Sequence, residues 1–176
     1  MATTINGSAG VITNSGAVYD GLQLGTAVAS TSGTSIDFTG IPSWVKRITV
    51  MFNGVSTSGT SVPLIQLGDA GGIENTGYDC VASVIVSTVL TAAYTQGFGV
   101  SGTHAATSNL KGSYVLTNIS GNSWVFNGGL ARTVDTTATQ ISFGSKTLSA
   151  TLDRIRITTV NGTDTFDAGS INISYE

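Results

Sequence analysis

The chain has 176 residues, among them ten Asp or Glu, seven Lys or Arg and one His, for a net charge of −3. Charged residues make up only 10% of it, far under the roughly 25% of an ordinary soluble domain. The seven cations are scattered, which argues against the basic face of a nucleic-acid binder. Hydrophobic residues reach 40%, and 23 glycines stand against two prolines, a balance that predicts many short strands and tight turns in place of a disordered chain.

Residues 1–29 carry isolated apolar side chains, among them Ile5, Val11, Ile12, Val18, Tyr19, Leu22 and Leu24, set among Gly, Ser, Asn and Ala. Such a segment buries too few large side chains to offset the entropy of ordering it alone, yet it is more apolar than a linker. It is expected to be an extended arm ordered against neighbouring chains, ahead of one domain at 30–176. The opening Met1-Ala-Thr-Thr-Ile-Asn lacks the basic start and apolar run of a secretory leader.

Beyond the arm a period of two takes over. Residues 35–38 alternate, and Gly40 to Trp44 turns the chain. In 45–53, Ile48, Val50 and Phe52 point one way while Arg47, Thr49 and Met51 point the other. Residues 64–68 predict a short strand before a glycine-rich connection. Residues 80–88 are apolar enough for a central strand, with 94–100 after it. Cys80 is the lone cysteine, so it forms no internal disulfide and is expected as a buried, inert thiol. The apolar run 81–90 is too short and too interrupted to span a bilayer, and no membrane insertion is expected.

Residues 111–118 and 124–130 predict a hairpin through Ser120-Gly121-Asn122, and 139–143 with 147–152 a second one around Gly144-Ser145. At the end, Arg154, Arg156 and Thr158 alternate with Ile155, Ile157 and Thr159, and Ile171, Ile173 and Tyr175 alternate with Asn172, Ser174 and Glu176. These two half-buried strands, joined through Asn161-Gly162, are expected to pair antiparallel and to need a second sheet over their isoleucines. No window sustains helical spacing. About eight to ten short strands predict an all-β fold, a two-sheet antiparallel sandwich of jelly-roll type.

Two blocks carry a resemblance. The run Ser35-Ile-Asp-Phe-Thr-Gly-Ile-Pro-Ser-Trp-Val-Lys-Arg-Ile-Thr-Val-Met-Phe-Asn-Gly, within 29–61, and Thr151-Leu-Asp-Arg-Ile-Arg-Ile-Thr-Thr-Val-Asn-Gly-Thr-Asp-Thr-Phe-Asp-Ala-Gly, within 151–173, resemble a C-terminal domain of tailed-bacteriophage and prophage tail or fibre proteins. The resemblance covers roughly 29–176, more loosely in 62–146. It implies a non-enzymatic virion structural protein, homotrimeric, on the capsid or tail surface. Residues 1–29 would join it to other virion proteins. The same resemblance leaves open an adhesin that binds a host surface glycan at a fibre tip.

Candidate chemistry is sparse. His104 sits among Gly, Thr, Ala and Ser with no nucleophile elbow and is expected as an exposed loop histidine. Asp153, Asp164 and Asp167 lack the ligand spacing of a calcium loop and suit turns. Gly71-Gly72 precedes no helix, so no phosphate cradle is indicated. No catalytic, metal or cofactor residues are assigned. For a ligand, Trp44, Tyr78 and Tyr94 are candidate stacking rings, and Arg154 and Arg156, on one strand face, could grip an anion or a neighbouring subunit. Trp124, inside a strand, is expected in the core.

Overall fold

The computed structural model describes residues 4–6, 10–12, 18–19, 21–133 and 137–176, with side chains from residue 21 onward. The described residues contain no helix. The strands are β1 (Thr4–Asn6), β2 (Gly10–Ile12), β3 (Val18–Tyr19), β4 (Gln23–Leu24), β5 (Val28–Ala29), β6 (Ile36–Thr39), β7 (Arg47–Thr57), β8 (Pro63–Asp69) and β9 (Gly72–Ile73). They continue with β10 (Tyr78–Ile85), β11 (Val89–Tyr94), β12 (Phe98–Gly99), β13 (Asn109–Ser120), β14 (Ser123–Thr133), β15 (Ala138–Thr147), β16 (Arg154–Thr159) and β17 (Phe166–Tyr175).

Two antiparallel sheets pack face to face. The larger runs β11-β10-β15-β14-β13-β7-β17-β4, with β5 also on β17; the smaller runs β12-β8-β16-β6, with β9 also on β8. A separate three-stranded sheet joins β1, β2 and β3. The expected arm therefore falls partly outside the described residues. Its last stretch lies along the larger sheet, where Gly25 N donates to Ile173 O at 2.8 Å and Ser30 N to Gly169 O at 2.9 Å.

Alternation explains the layering. In β7, Ile48, Val50, Phe52 and Val55 are buried, while Arg47 and Asn53 face water. They share one core with Ile155 and Ile157 of β16 and with Ile171 and Ile173 of β17, and each such side chain stabilises the fold by about 1.5–3 kcal/mol. Aromatic rings line its centre: Phe98 and Phe126 stack at 4.4 Å, and Tyr114 lies on Phe126 at 4.7 Å. Trp124 and Cys80 are both buried.

Three expectations are corrected. First, β16 and β17 do not pair. They lie in different sheets, and the connection between them arches across the core, so their isoleucines line opposite walls. Asn161 makes the arch: its Oδ1 accepts from Thr163 N at 3.0 Å, its Nδ2 donates to Asp164 Oδ1 at 2.8 Å, and Gly162 follows at φ 67°. Second, Gly144-Ser145 is no turn, because β15 runs straight through it. A Cβ on Gly144 would lie 2.6 Å from Asp79 O and 3.0 Å from the Phe98 ring, so that glycine serves a close approach across the core. The stretch 148–152 is consequently no strand; Leu148 and Leu152 are buried from a loop. Third, 94–100 is not one strand. β11 ends at Tyr94, and the chain crosses to the smaller sheet as β12.

Candidate functional site

The side chains singled out in the sequence are distributed over the molecule. Tyr78 is buried with its ring edge-on to Phe98 at 5.0 Å. Its hydroxyl donates to Glu74 O at 2.9 Å and accepts from Leu67 N at 2.7 Å, so it ties β10 to the smaller sheet and offers no open face for stacking. Burial pushes its hydroxyl well above the usual tyrosine value. Tyr94 is half-buried, donating to Ser101 O at 2.7 Å, and burial pushes it up to about 12. Trp44 is the exposed aromatic of the set at 44%, tilted against Tyr175 at 6.0 Å.

His104 is also corrected: it is buried, not exposed, with Nε2 3.0 Å from Thr57 Oγ1. The loop carrying it turns inward on Ser101 and Ser108, both fully buried, with Ser108 Oγ accepting from Ala105 N at 3.2 Å. The three aspartates do not meet. Asp153 holds Arg154, Asp167 accepts from Ser56 Oγ, and Asp164 accepts from Asn161 Nδ2 and from Ser61 N at 2.9 Å. The Asn161 amide and the Ser61 N–H hold the Asp164 carboxyl below the usual range. Among the described residues no group of three or more His, Cys, Asp or Glu could hold a metal ion.

Two surfaces stand out. One is the outer face of the smaller sheet. Here Arg156 Nε and Nη2 grip both oxygens of Asp37, across the β16–β6 pair, at 2.7 and 2.6 Å. The fork raises the guanidinium's pKa further. Beside it opens a polar groove of about 270 Å³, lined by Ser35, Gln66, Asn75, Gln96, Arg156 and Asn161 with their neighbours. Gln66 Nε2 donates to Gln96 O at 2.8 Å. Arg154, on the same strand face, is held by Asp153 at 2.6 Å.

The other surface is the outer face of the larger sheet at its β11-β10-β15 end. Val81 and Phe143 are cross-strand partners, as are Ile85 and Val89, and all four are exposed, Phe143 at 56% and Val89 at 61%. The sequence reading placed Val81 and Ile85 in a central strand and assigned none of the four to an exposed surface. A signal was present: Val81 and Ile85 alternate with the inward Cys80, Ala82 and Val84, so β10 carries apolar side chains on both faces. Such a strand ordinarily has both faces covered.

No family model matches the chain, and neither a curated protein nor a solved structure matches it.

Proposed function

We propose that this chain is a non-enzymatic structural protein of a tailed-bacteriophage particle, tail-fibre-like or capsid-decorating, assembled from identical copies. The fibre-domain resemblance of the two blocks at 29–61 and 151–173 points to the particle, and to attachment to its other proteins through residues 1–29. The observation that carries the reading is the uncovered apolar outer face around Val81, Val89 and Phe143, since an apolar patch on a folded surface marks a contact surface. The charges are compatible with it: Arg47, Lys146, Arg154 and Arg156 are each paired within the chain, so few ions would have to be desolvated on assembly.

Antibody labelling of intact phage particles is the test. Decoration of the head or the tail is the expected result, and particles that carry no label overturn the reading. Removal of residues 1–25 should leave a folded domain that no longer binds particles.

A second reading, an adhesin for a host surface glycan, is favoured by the polar groove beside Arg156. Its amides and guanidinium suit hydroxyl-rich or acidic sugars. Binding to immobilised host glycans that Arg156→Ala removes would support it, and equal binding by both proteins would overturn it.

A further inference from the structure

We infer that the free edge of β11 is where a second copy of this chain docks, strand to strand about a two-fold axis near Thr91. The inference deepens the reading of the chain as an assembly of identical copies and rests on it. β11 ends the larger sheet and has no strand on its other side among the described residues. Open edges expose unpaired backbone groups, and proteins guard them by shortness, charge or proline. The other edges obey this rule: β4, β9 and β12 have two residues each, and β6 carries Asp37. β11 does not, being six residues long and free of charge and proline. From Cys80 to Thr103 there is no Asp, Glu, Lys, Arg or Pro at all.

The occupant follows from that neutrality. A charged partner would find nothing to pair with here, whereas two copies bring no like charges together. Antiparallel pairing about Thr91 sets Val89 of one copy opposite Ala93 of the other. It also continues the outer face on which Val89 meets Ile85 and Ala93 meets Val81. Thr91 lies on this face, 2.9 Å from Ser83 Oγ through its hydroxyl. The joined sheet would set the Val81–Phe143 and Ile85–Val89 pairs of both copies side by side as one apolar band on its outer face.

Sedimentation of the full chain and of Thr91→Lys is the experiment, with a short bismaleimide crosslinker applied to Thr91→Cys and to Thr39→Cys, the latter on β6. Cys80 is buried, so the introduced thiol is the accessible one. The expected result is a two-chain particle, crosslinked through position 91 and not through position 39. Thr91→Lys should weaken it at least about a hundredfold at an unchanged melting temperature. Should Thr91→Lys melt early, Ala93→Lys takes its place. A single chain at tens of micromolar, a three-chain particle indifferent to the lysine, or crosslinking through position 39 alone overturns the inference. Labelling of particles is a separate readout: a labelled particle with an indifferent lysine variant sinks the β11 contact alone, and an unlabelled one with a β11 dimer sinks the phage reading alone.

Discussion

The two sheets bury the same kind of side chain and present opposite exteriors. Outside the smaller sheet, guanidinium, carboxylate and amide groups fill the surface and satisfy one another, as in the Arg156–Asp37 fork and the Gln66–Gln96 contact. Outside the end of the larger sheet, Val81, Ile85, Val89 and Phe143 meet water. A sandwich needs only its inner faces apolar, so the smaller sheet's exterior is what folding alone predicts. The larger sheet's exterior exceeds that need, and the excess is what points to a partner.

The contrast can be pressed by mutation. A charge on an inner wall should be ruinous: Ile157→Asp leaves an unpaired carboxylate in the core at a cost of at least about 3–5 kcal/mol, and soluble protein with an unchanged melting temperature would refute the assignment of that face. Gln140 is fully buried on the inner face of the larger sheet, and neither of its amide atoms has a hydrogen-bond partner. Gln140→Leu should therefore raise stability by about 1–3 kcal/mol in denaturant unfolding.

Acid should loosen the smaller sheet's rim. Ser149 Oγ and Gly71 N hold the Asp69 carboxyl, and Asn161 and Ser61 the Asp164 carboxyl, below the ordinary value of 3.8. A lowered folded value means the stabilisation is present above that ordinary value and is lost as pH falls through the lowered one. Melting temperature should fall over that acid window, and less steeply in Asp164→Asn. The half-exposed fork is worth little, so Arg156→Ala should change stability by no more than about 1 kcal/mol. Smallest of all, Val81→Asp should shift unfolding by less than about 0.5 kcal/mol while disrupting assembly. An aspartate on the bare face that unfolds the chain would erase the distinction between the two exteriors.

Much of the fold was legible because the period of two is strong. Ile48, Val50 and Phe52, and the four isoleucines of β16 and β17, are buried as their alternation predicts. Alternation says which face of a strand is inside but not which strand lies beside it. Asn161-Gly162 therefore read as a hairpin turn, although the same residues close an arch between sheets. Gly144 read as a turn for a related reason: a glycine needed because Asp79 O and the Phe98 ring come close looks in sequence like one needed for a bend. For the candidate sites, residue type marked Arg156 beside the groove, but the Tyr78 hydroxyl is engaged by Leu67 and Glu74 and His104 meets Thr57, 47 positions away, inside the fold. The apolar exterior was missed because a run such as 80–86, apolar but for Ser83, reports burial on two faces without saying whose atoms do the burying.

The place of β17 in the larger sheet has a consequence for how the molecule is made. Among the described strands β4 and β5 pair with β17, with Asn172 Nδ2 reaching Gly25 O across 147 positions of sequence, and β17 itself leans on β7. The early segment finds its seat only after nearly all of the domain has been synthesised and β17 has been laid down. Closure of so long a loop is slow, so residues 23–29 should be among the last backbone amides to gain protection from hydrogen exchange during refolding.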